Sequence, residues 1–391
     1  MILFFCILGC ACGIIAGLIP GLHSNNIAVL LATSPFFGME VTAFMLSLCT
    51  VQAFVDFIPS TFLSAPSENT FEGVLPGHKM LLEGKGVEAI CLTTAGALVA
   101  VIIGSILTPL FFMFIEQNSE QLIQITPLVL ITALITFVIW ENGFHGKIIA
   151  LFVIIAAGTQ GILFQDQVFP LITGYFGVAG TLYALSDAPT KIKQNQIIQI
   201  KLSTLKDSLA GIIGGAIVAI MPGIGSNTAA GIINLFKNKD TAPNNTEKYL
   251  AMLGAINVSN FFFSFATLLA LSKARNGAML AIQDKILYSE NTLFFGTLIM
   301  FISAGIGGIS AIWIAKKAAT FLDKNKTKIL SIGTIVLMIS LVGILNGLIG
   351  LIALFFSTAL GLFVLTKKAK RSLCMSSLIV PTLFFYLFIL L

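Results

Sequence analysis

Apolar residues fill this chain in long blocks separated by short polar stretches. The blocks fall at about 1–34 (interrupted), 41–65, 89–115, 120–141, 147–163, 168–185, 208–236 (interrupted), 248–272, 292–315, 329–345, 348–366 and 372–391. Most approach the roughly 20 residues that a helix needs to cross a hydrocarbon core about 30 Å thick. They lack the strict polar–apolar alternation of barrel strands. Lipid tolerates only helices and closed barrels, because no water is there to satisfy backbone groups. The pattern therefore predicts an all-α, multi-pass protein of the cell membrane.

The two interrupted blocks are copies of one another. Gly13-x-x-x-Gly17-x-x-Pro20-Gly21-Leu22-His23-Ser24-Asn25-Asn26 recurs as Gly215-x-x-x-Ala219-x-x-Pro222-Gly223-Ile224-Gly225-Ser226-Asn227-Thr228, at a constant offset of 202 residues. Internal duplication of this kind is typical of secondary transporters. It divides the chain into a first membrane repeat, 1–187, a basic linker, 188–207, and a second repeat, 208–391. Asp56-Phe57 in the first half is matched loosely with Asn260-Phe261 in the second.

Length and charge predict how the repeats lie. After Pro222-Gly223 about nine apolar residues precede Lys237, roughly 14 Å of helix, and the arm before the break covers about 21 Å. Neither crosses a bilayer, so the block predicts a re-entrant hairpin broken at Pro-Gly. Each half then has about five transmembrane helices plus one hairpin, and an odd number of crossings makes the repeats inverted. With the linker inside, 19 Lys and Arg lie inside and only Lys273, Arg275 and Lys285 outside. If 208–236 crossed once, the split would be 10 against 12, and the positive-inside bias would vanish. The first hairpin follows by symmetry.

Composition narrows the function. With 57% hydrophobic and 10% charged residues, the chain has too little polar surface for a soluble enzyme, a disordered segment or a nucleic-acid binder. The six cysteines all lie in apolar runs, and Cys10-x-Cys12 has no His or second Cys pair near it, so they are expected to be packing residues. Ile7-Leu8-Gly9-Cys10 faintly resembles a lipoprotein box. However, no basic n-region precedes it and the apolar run continues to Ile19, so residues 1–19 are expected to be helix.

Chemistry is expected first at the hairpin tips. Proline breaks a helix, glycine permits the turn, and Ser or Asn caps the helix that follows. A tip of this kind presents unpaired carbonyls, which can hold Na⁺, and a positive helix N-terminus, which can hold a carboxylate. The candidate substrate ligands are Gly21, Ser24, Asn25, Asn26, Gly223, Gly225, Ser226, Asn227 and Thr228, with Ser60 and Thr61 beside them. The plainer alternative is a pair of kinks with Ser and Asn bonded locally. Asp56 is the one carboxylate inside its span, near Gln52, and ionisable groups at membrane depth are costly. It would hold a coupling cation or carry a proton, unless it lies at the inner interface above Pro59. Asn257, Ser259 and Asn260 take the corresponding place without charge, and Asn257 and Asn260 join Asp56 as coupling-cation candidates.

The polar stretch from Ser64 to Lys79 would close a pocket or form a solvated loop with an amphipathic helix. His23 has Gly225 as its repeat partner, so any role it has is unshared, and His78 and His145 are expected at interfaces. Lys316, Lys317, Lys367, Lys368, Lys370 and Arg371 are expected to set topology and meet lipid headgroups. No H-E-x-x-H, P-loop or G-x-S-x-G occurs, and no catalytic residue, metal centre or resident cofactor is expected.

Gly13–Asn26 and Gly215–Thr228, with the Pro66-to-His78 stretch between them, resemble the large permease subunit of the tripartite tricarboxylate transporters, especially its shorter archaeal branch. Val74-Leu75-Pro76-Gly77-His78-Lys79-Met80-Leu81-Leu82-Glu83-Gly84 is similar to the Leu-Pro-Gly-His segment of the archaeal members. Arg371-Ser372-Leu373 through Leu378 to Pro381 is similar to their ending. The resemblance implies secondary uptake of small carboxylates driven by a cation gradient, Na⁺ or H⁺. It also implies a small membrane subunit and an extracytoplasmic solute-binding protein as partners, with the lipid bilayer and no nucleic acid. The competing readings are a channel or non-transporting scaffold and, further off, an intramembrane enzyme acting on lipid or polyprenyl substrates.

Overall fold

The apolar blocks become helices throughout. The computed structural model describes residues 1–19, 24, 27, 37–63, 70–186, 194–195, 200, 202–221, 225–226, 229–230, 233, 246–286, 288–321 and 324–390. In chain order the helices are α1 (Ile2–Leu18), α2 (Met39–Val55), α3 (Phe57–Phe62), α4 (Phe71–Leu82), α5 (Gly86–Gln117), α6 (Ser119–Ile139), α7 (Gly143–Leu163) and α8 (168–186), the last with a π-helical turn at Thr173–Val178. After the linker come α9 (Asp207–Ile220), α10 (Thr246–Leu271), α11 (Gly277–Gln283) and α12 (Glu290–Phe321). The continuous stretch Lys324–Thr366 breaks at Gly347, giving α13 (324–346) and α14 (348–366). The chain ends in α15 (Ser376–Leu390), entered through a 3-10 turn at Arg371–Met375. No strand occurs among the described residues.

Nine stretches among the described residues are long and apolar enough to span a membrane. The longest divides at Gly347, whose φ of 61° is a left-handed conformation that glycine adopts without cost. A Cβ on Gly343 would lie 3.8 Å from Leu351, two turns further along, so the chain turns sharply there. With that division, five spanning stretches precede the linker and five follow it. The protein is a helical, multi-pass membrane protein.

The helices α2 and α10 form the interior. The spanning windows of Met39–Phe62 and Thr246–Leu271 are wholly buried, and both helices are apolar on every face apart from a few short polar side chains, as a fully enclosed helix is. Large apolar side chains such as Ile106, Leu128, Ile155, Ile309 and Phe355 stand exposed on α5, α6, α7, α12 and α14. In water such a surface would aggregate; in a bilayer it meets lipid.

Contacts cross between the halves in exchanged pairs. The second-half helix α10 packs most extensively on α5 of the first half, and α12 of the second half packs on α2 of the first. Likewise α15 packs on α7, while α14 packs on α8. Small residues allow these approaches, as is usual between helices in lipid. A Cβ on Gly96 would collide with the Ala251 carbonyl, and one on Gly254 with the Thr93 carbonyl.

The arms before the two Pro-Gly motifs, α1 and α9, dock in matching fashion. A Cβ on Gly13 would lie 2.6 Å from the Leu48 carbonyl oxygen and 3.0 Å from Val51 Cβ. One on Gly215 would meet the Ile256 carbonyl oxygen at 3.0 Å and collide with Ser259 Oγ. The arms are offset by 202 residues, but their partner positions are offset by 208, as Leu48 and Ile256 or Val51 and Ser259 show. In this register Gln52, not Asp56, is the repeat counterpart of Asn260. The loose sequence pairing of Asp56 with Asn260 is thus displaced by one helical turn. Glycine contacts fix the register, whereas the longer connection in the second half misleads a count along the chain.

Candidate functional site

Asp56 stands at the joint between α2 and α3. Its φ and ψ of −66° and −14° keep the chain nearly helical, and its N–H bonds the Gln52 carbonyl at 2.9 Å. The last turn of α1 lies against it, since a Cβ on Gly17 would come within 3.2 Å of the Asp56 nitrogen. Asp56 is buried, so its carboxylate meets protein rather than bulk water.

Two polar groups join this joint to other elements. Gln52, one turn before Asp56, accepts the backbone N–H of Ser24 on Oε1 at 3.0 Å, and both residues are buried. The chain just after the first Pro-Gly motif is therefore held at Ser24 by a side chain of α2. From the second half, Asn257 of α10 donates its amide to the Ala53 carbonyl at 3.2 Å, with the Asp56 oxygens at 3.4 and 3.5 Å. The longer two are at the weak end of hydrogen bonding. Asn257 Oδ1 is buried and has no hydrogen-bond partner. Ser24, Gln52, Asp56 and Asn257 thus form one chain of contacts from the first Pro-Gly motif across both halves.

The remaining candidates divide in three. Asn260 shares a face of α10 with Asn257 at i, i+3, and its Oδ1 accepts from Ser264 Oγ at 3.0 Å. Ser226 of the second tip is buried with its hydroxyl unbonded, and Gly225 beside it lies close to Met375. Ser60 and Thr61 are drawn toward other work: Ser60 Oγ donates to the Phe57 carbonyl at 2.8 Å, and Thr61 faces Gly77 of α4. Gly21, Asn25, Asn26, Gly223, Asn227 and Thr228 lie outside the described residues, as does the whole stretch from Ser64 to Asn69.

The helix expected within the polar stretch is α4, which follows Thr70, runs to Leu82 and packs on α3. Burial pushes the pKa of His78 down, while its hydrogen bond to the Thr61 backbone pulls it partly back. Gln194 in the linker caps both ends of the α4–α5 turn. It accepts the Gly86 N–H at 2.8 Å and donates to the Leu81 carbonyl at 3.0 Å. Lys370, expected to meet lipid headgroups, instead ties two loops together: its Nζ bonds the Trp140 carbonyl at 2.8 Å and sits 3.7 Å from the centre of the Trp140 ring.

Beside α3 a cavity of about 600 Å³ opens between Leu18, Pro59, Phe62, Leu63 and Lys317. Its walls are almost wholly apolar, so it suits a hydrocarbon chain better than a carboxylate. No group of three or more His, Cys, Asp or Glu is gathered in metal-binding fashion among the described residues.

Gln52 is the residue that reading the chain undervalued, as it stood only as a neighbour of Asp56. Its signal was weak but present: a long polar side chain one turn before a carboxylate, in an apolar span.

A bundle of membrane-spanning helices that carries buried polar side chains on two enclosed helices has the build of a permease. The chain belongs to the tripartite tricarboxylate transporter TctA family, whose model matches residues 3–376. It is therefore a transport protein rather than an enzyme. It is 29% identical over 402 aligned positions to the uncharacterized protein MJ1079 of Methanocaldococcus jannaschii, an alignment that covers 98% of this chain and 99% of that one. No solved structure matches the chain.

Proposed function

We propose that this permease is a secondary active transporter of small organic anions, di- or tricarboxylates, coupled to a Na⁺ or H⁺ gradient across the cell membrane. One observation carries the reading: the buried contact chain from Ser24 through Gln52 and Asp56 to Asn257. A cation or proton arriving at Asp56 changes the charge beside both a hairpin tip and a helix of the other half. That gives it unequal affinity for two arrangements of the halves, which is what coupling requires.

The hairpin tips Gly21, Ser24, Asn25 and Asn26, and Gly223, Gly225, Ser226, Asn227 and Thr228, offer N–H and O–H donors to a carboxylate, with Ser60 and Thr61 as the adjoining wall. Asp56, Asn257 and Asn260 form the cation side. In support of this, the buried Asn257 Oδ1 has no hydrogen-bond partner, and a cation or its water would satisfy it. The exchanged helix pairs and matching glycine seams support inverted repeats, each with a re-entrant hairpin. The tripartite family supports a small membrane subunit and an extracytoplasmic solute-binding protein as partners.

The test is uptake of labelled succinate or citrate into proteoliposomes under an imposed Na⁺ or H⁺ gradient. Asn25→Ala, Asn227→Ala and Asp56→Asn should each abolish gradient-driven uptake while the protein remains folded. Flux that ignores both gradients would instead indicate a channel.

A further inference from the structure

The cavity of about 600 Å³ beside α3 lies on the seam between the two halves. Leu18 of α1 and Pro59 and Phe62 of α3 line it from the first half, and Ile314 and Lys317 of α12 and Leu330 of α13 from the second. It sits at the linker end of the bundle. A Cβ on Gly86 would lie 3.4 Å from the Phe62 ring, and the Gly86 N–H bonds Gln194 of the linker.

The wall and the mouth differ in chemistry. Pro59 and Phe62 are buried, so the cavity reaches past the lipid-facing surface to an interior helix. On the lipid side, Leu330 is an exposed apolar side chain. Thr320 and Lys317 are the polar residues that line it. The Thr320 hydroxyl already donates to the Lys317 carbonyl at 2.8 Å. Lys317 is exposed, and among the described residues no carboxylate pairs with it; its Nζ lies 5.9 Å from the centre of the Trp313 ring. Trp313 is exposed as well, and tryptophan at the end of a spanning helix marks the headgroup level. An ammonium thus stands where a bilayer presents phosphate, with an apolar volume beside it.

Size and charge select the occupant. A helix 10–12 Å across would fill this volume in roughly one turn, too little to dock by. A substrate carboxylate would find one ammonium and otherwise apolar walls. A lipid matches both parts, and the cytoplasmic leaflet, on the linker side by the Lys and Arg count, is the one rich in anionic lipid.

We propose that an anionic phospholipid binds here, with an acyl chain between Leu18, Pro59 and Ile314 and its phosphate on Lys317, so that one lipid bridges the two halves. The site is independent of the transport reading.

The full chain, purified in a neutral detergent, is melted with phosphatidylglycerol, phosphatidylcholine or inorganic phosphate, as wild type, Lys317→Gln, Ala318→Phe and Lys367→Gln. Lys367 is the control: it too is exposed near the end of a spanning helix, with its Nζ 5.9 Å from the centre of an aromatic ring, Phe363, but it does not line this cavity. A bound lipid raises the melting point by mass action. Phosphatidylglycerol should stabilise the wild type and Lys367→Gln alike, and more than phosphatidylcholine does. Lys317→Gln should weaken it about fivefold, the worth of one lysine at an anionic surface. Ala318 lines the cavity, so Ala318→Phe puts a ring where the acyl chain would lie and should abolish the response. Should Ala318→Phe fail to fold, Lys317→Gln against Lys367→Gln carries the test. Equal losses in those two variants would show general surface charge and overturn the site. So would an equal response to the two lipids, an equal response to inorganic phosphate, or no response of the wild type to phosphatidylglycerol.

Discussion

Asn257 and Asp56 lie side by side although 201 residues separate them, with the amide nitrogen 3.4 and 3.5 Å from the two carboxylate oxygens. The donor comes from the second half and the acceptor from the first. Because the contact is buried, its chemistry can be altered without rebuilding a surface. Asn257→Ala should cost about 0.5–1.5 kcal/mol, the range for an ordinary hydrogen bond, because the Asp56 contacts are long. Asn257→Asp should cost more, since two buried carboxylates repel. Adding Asp56→Asn to Asn257→Asp restores one charge and one amide, and should recover most of the loss. Melting curves of the three variants in detergent decide it; equal melting points for Asn257→Ala and Asn257→Asp would show the carboxylate to be well solvated.

Gln52 should act on the hairpin rather than on its own helix. Gln52→Leu leaves the buried Ser24 N–H without its acceptor, at a cost of about 1–3 kcal/mol. Hydrogen exchange at Ser24 should quicken while exchange along α2 stays slow. Unchanged protection at Ser24 would mean that another group holds the tip.

The glycine seams should be intolerant of a single methyl. In Gly215→Ala the new Cβ would collide with Ser259 Oγ and lie 2.8 Å from the Asn260 nitrogen. Overpacking of this sort costs about 1–3 kcal/mol. Gly305→Ala, on α12, meets nothing within 4 Å and should be neutral or slightly stabilising. A Gly215→Ala melting point as high as that of Gly305→Ala would show that α9 and α10 can shift apart cheaply.

His78 should make stability depend on pH. Burial holds its folded-state pKa below the usual value, against the pull of the Thr61 hydrogen bond. The unfolded chain therefore binds the proton more readily. Stability is fully present above the unfolded pKa of about 6.5 and declines as pH falls through the folded pKa. His78→Gln should flatten the melting-point profile between about pH 5 and 7, near the unfolded His pKa; an unaltered slope would point to other groups.

Much of this was legible in the chain, for a physical reason. Lipid imposes a length on every crossing, so the spanning stretches could be counted. A carboxylate in an apolar span is conspicuous, which singled out Asp56. Two features were not legible. The bond from Ser24 to Gln52 depends on where the chain after α1 comes to lie against α2, and no spacing rule encodes it. The register that makes Gln52 the counterpart of Asn260 is set by glycine against backbone, between segments that only the folded protein brings together. Lys370 shows the same limit: basic residues near helix ends usually meet headgroups, and only its contact with Trp140 reveals a tie between loops.

The exchange of partners between the halves bears on how the protein is made. While the first half alone has left the ribosome, α2 lacks its cover from α12, and α5 lacks α10. Asp56 then lacks Asn257 until some two hundred further residues have been inserted. The nascent chain must therefore wait, half assembled, under the care of the insertion machinery. Coexpressed fragments cut within the linker should find each other, whereas either fragment alone should be degraded.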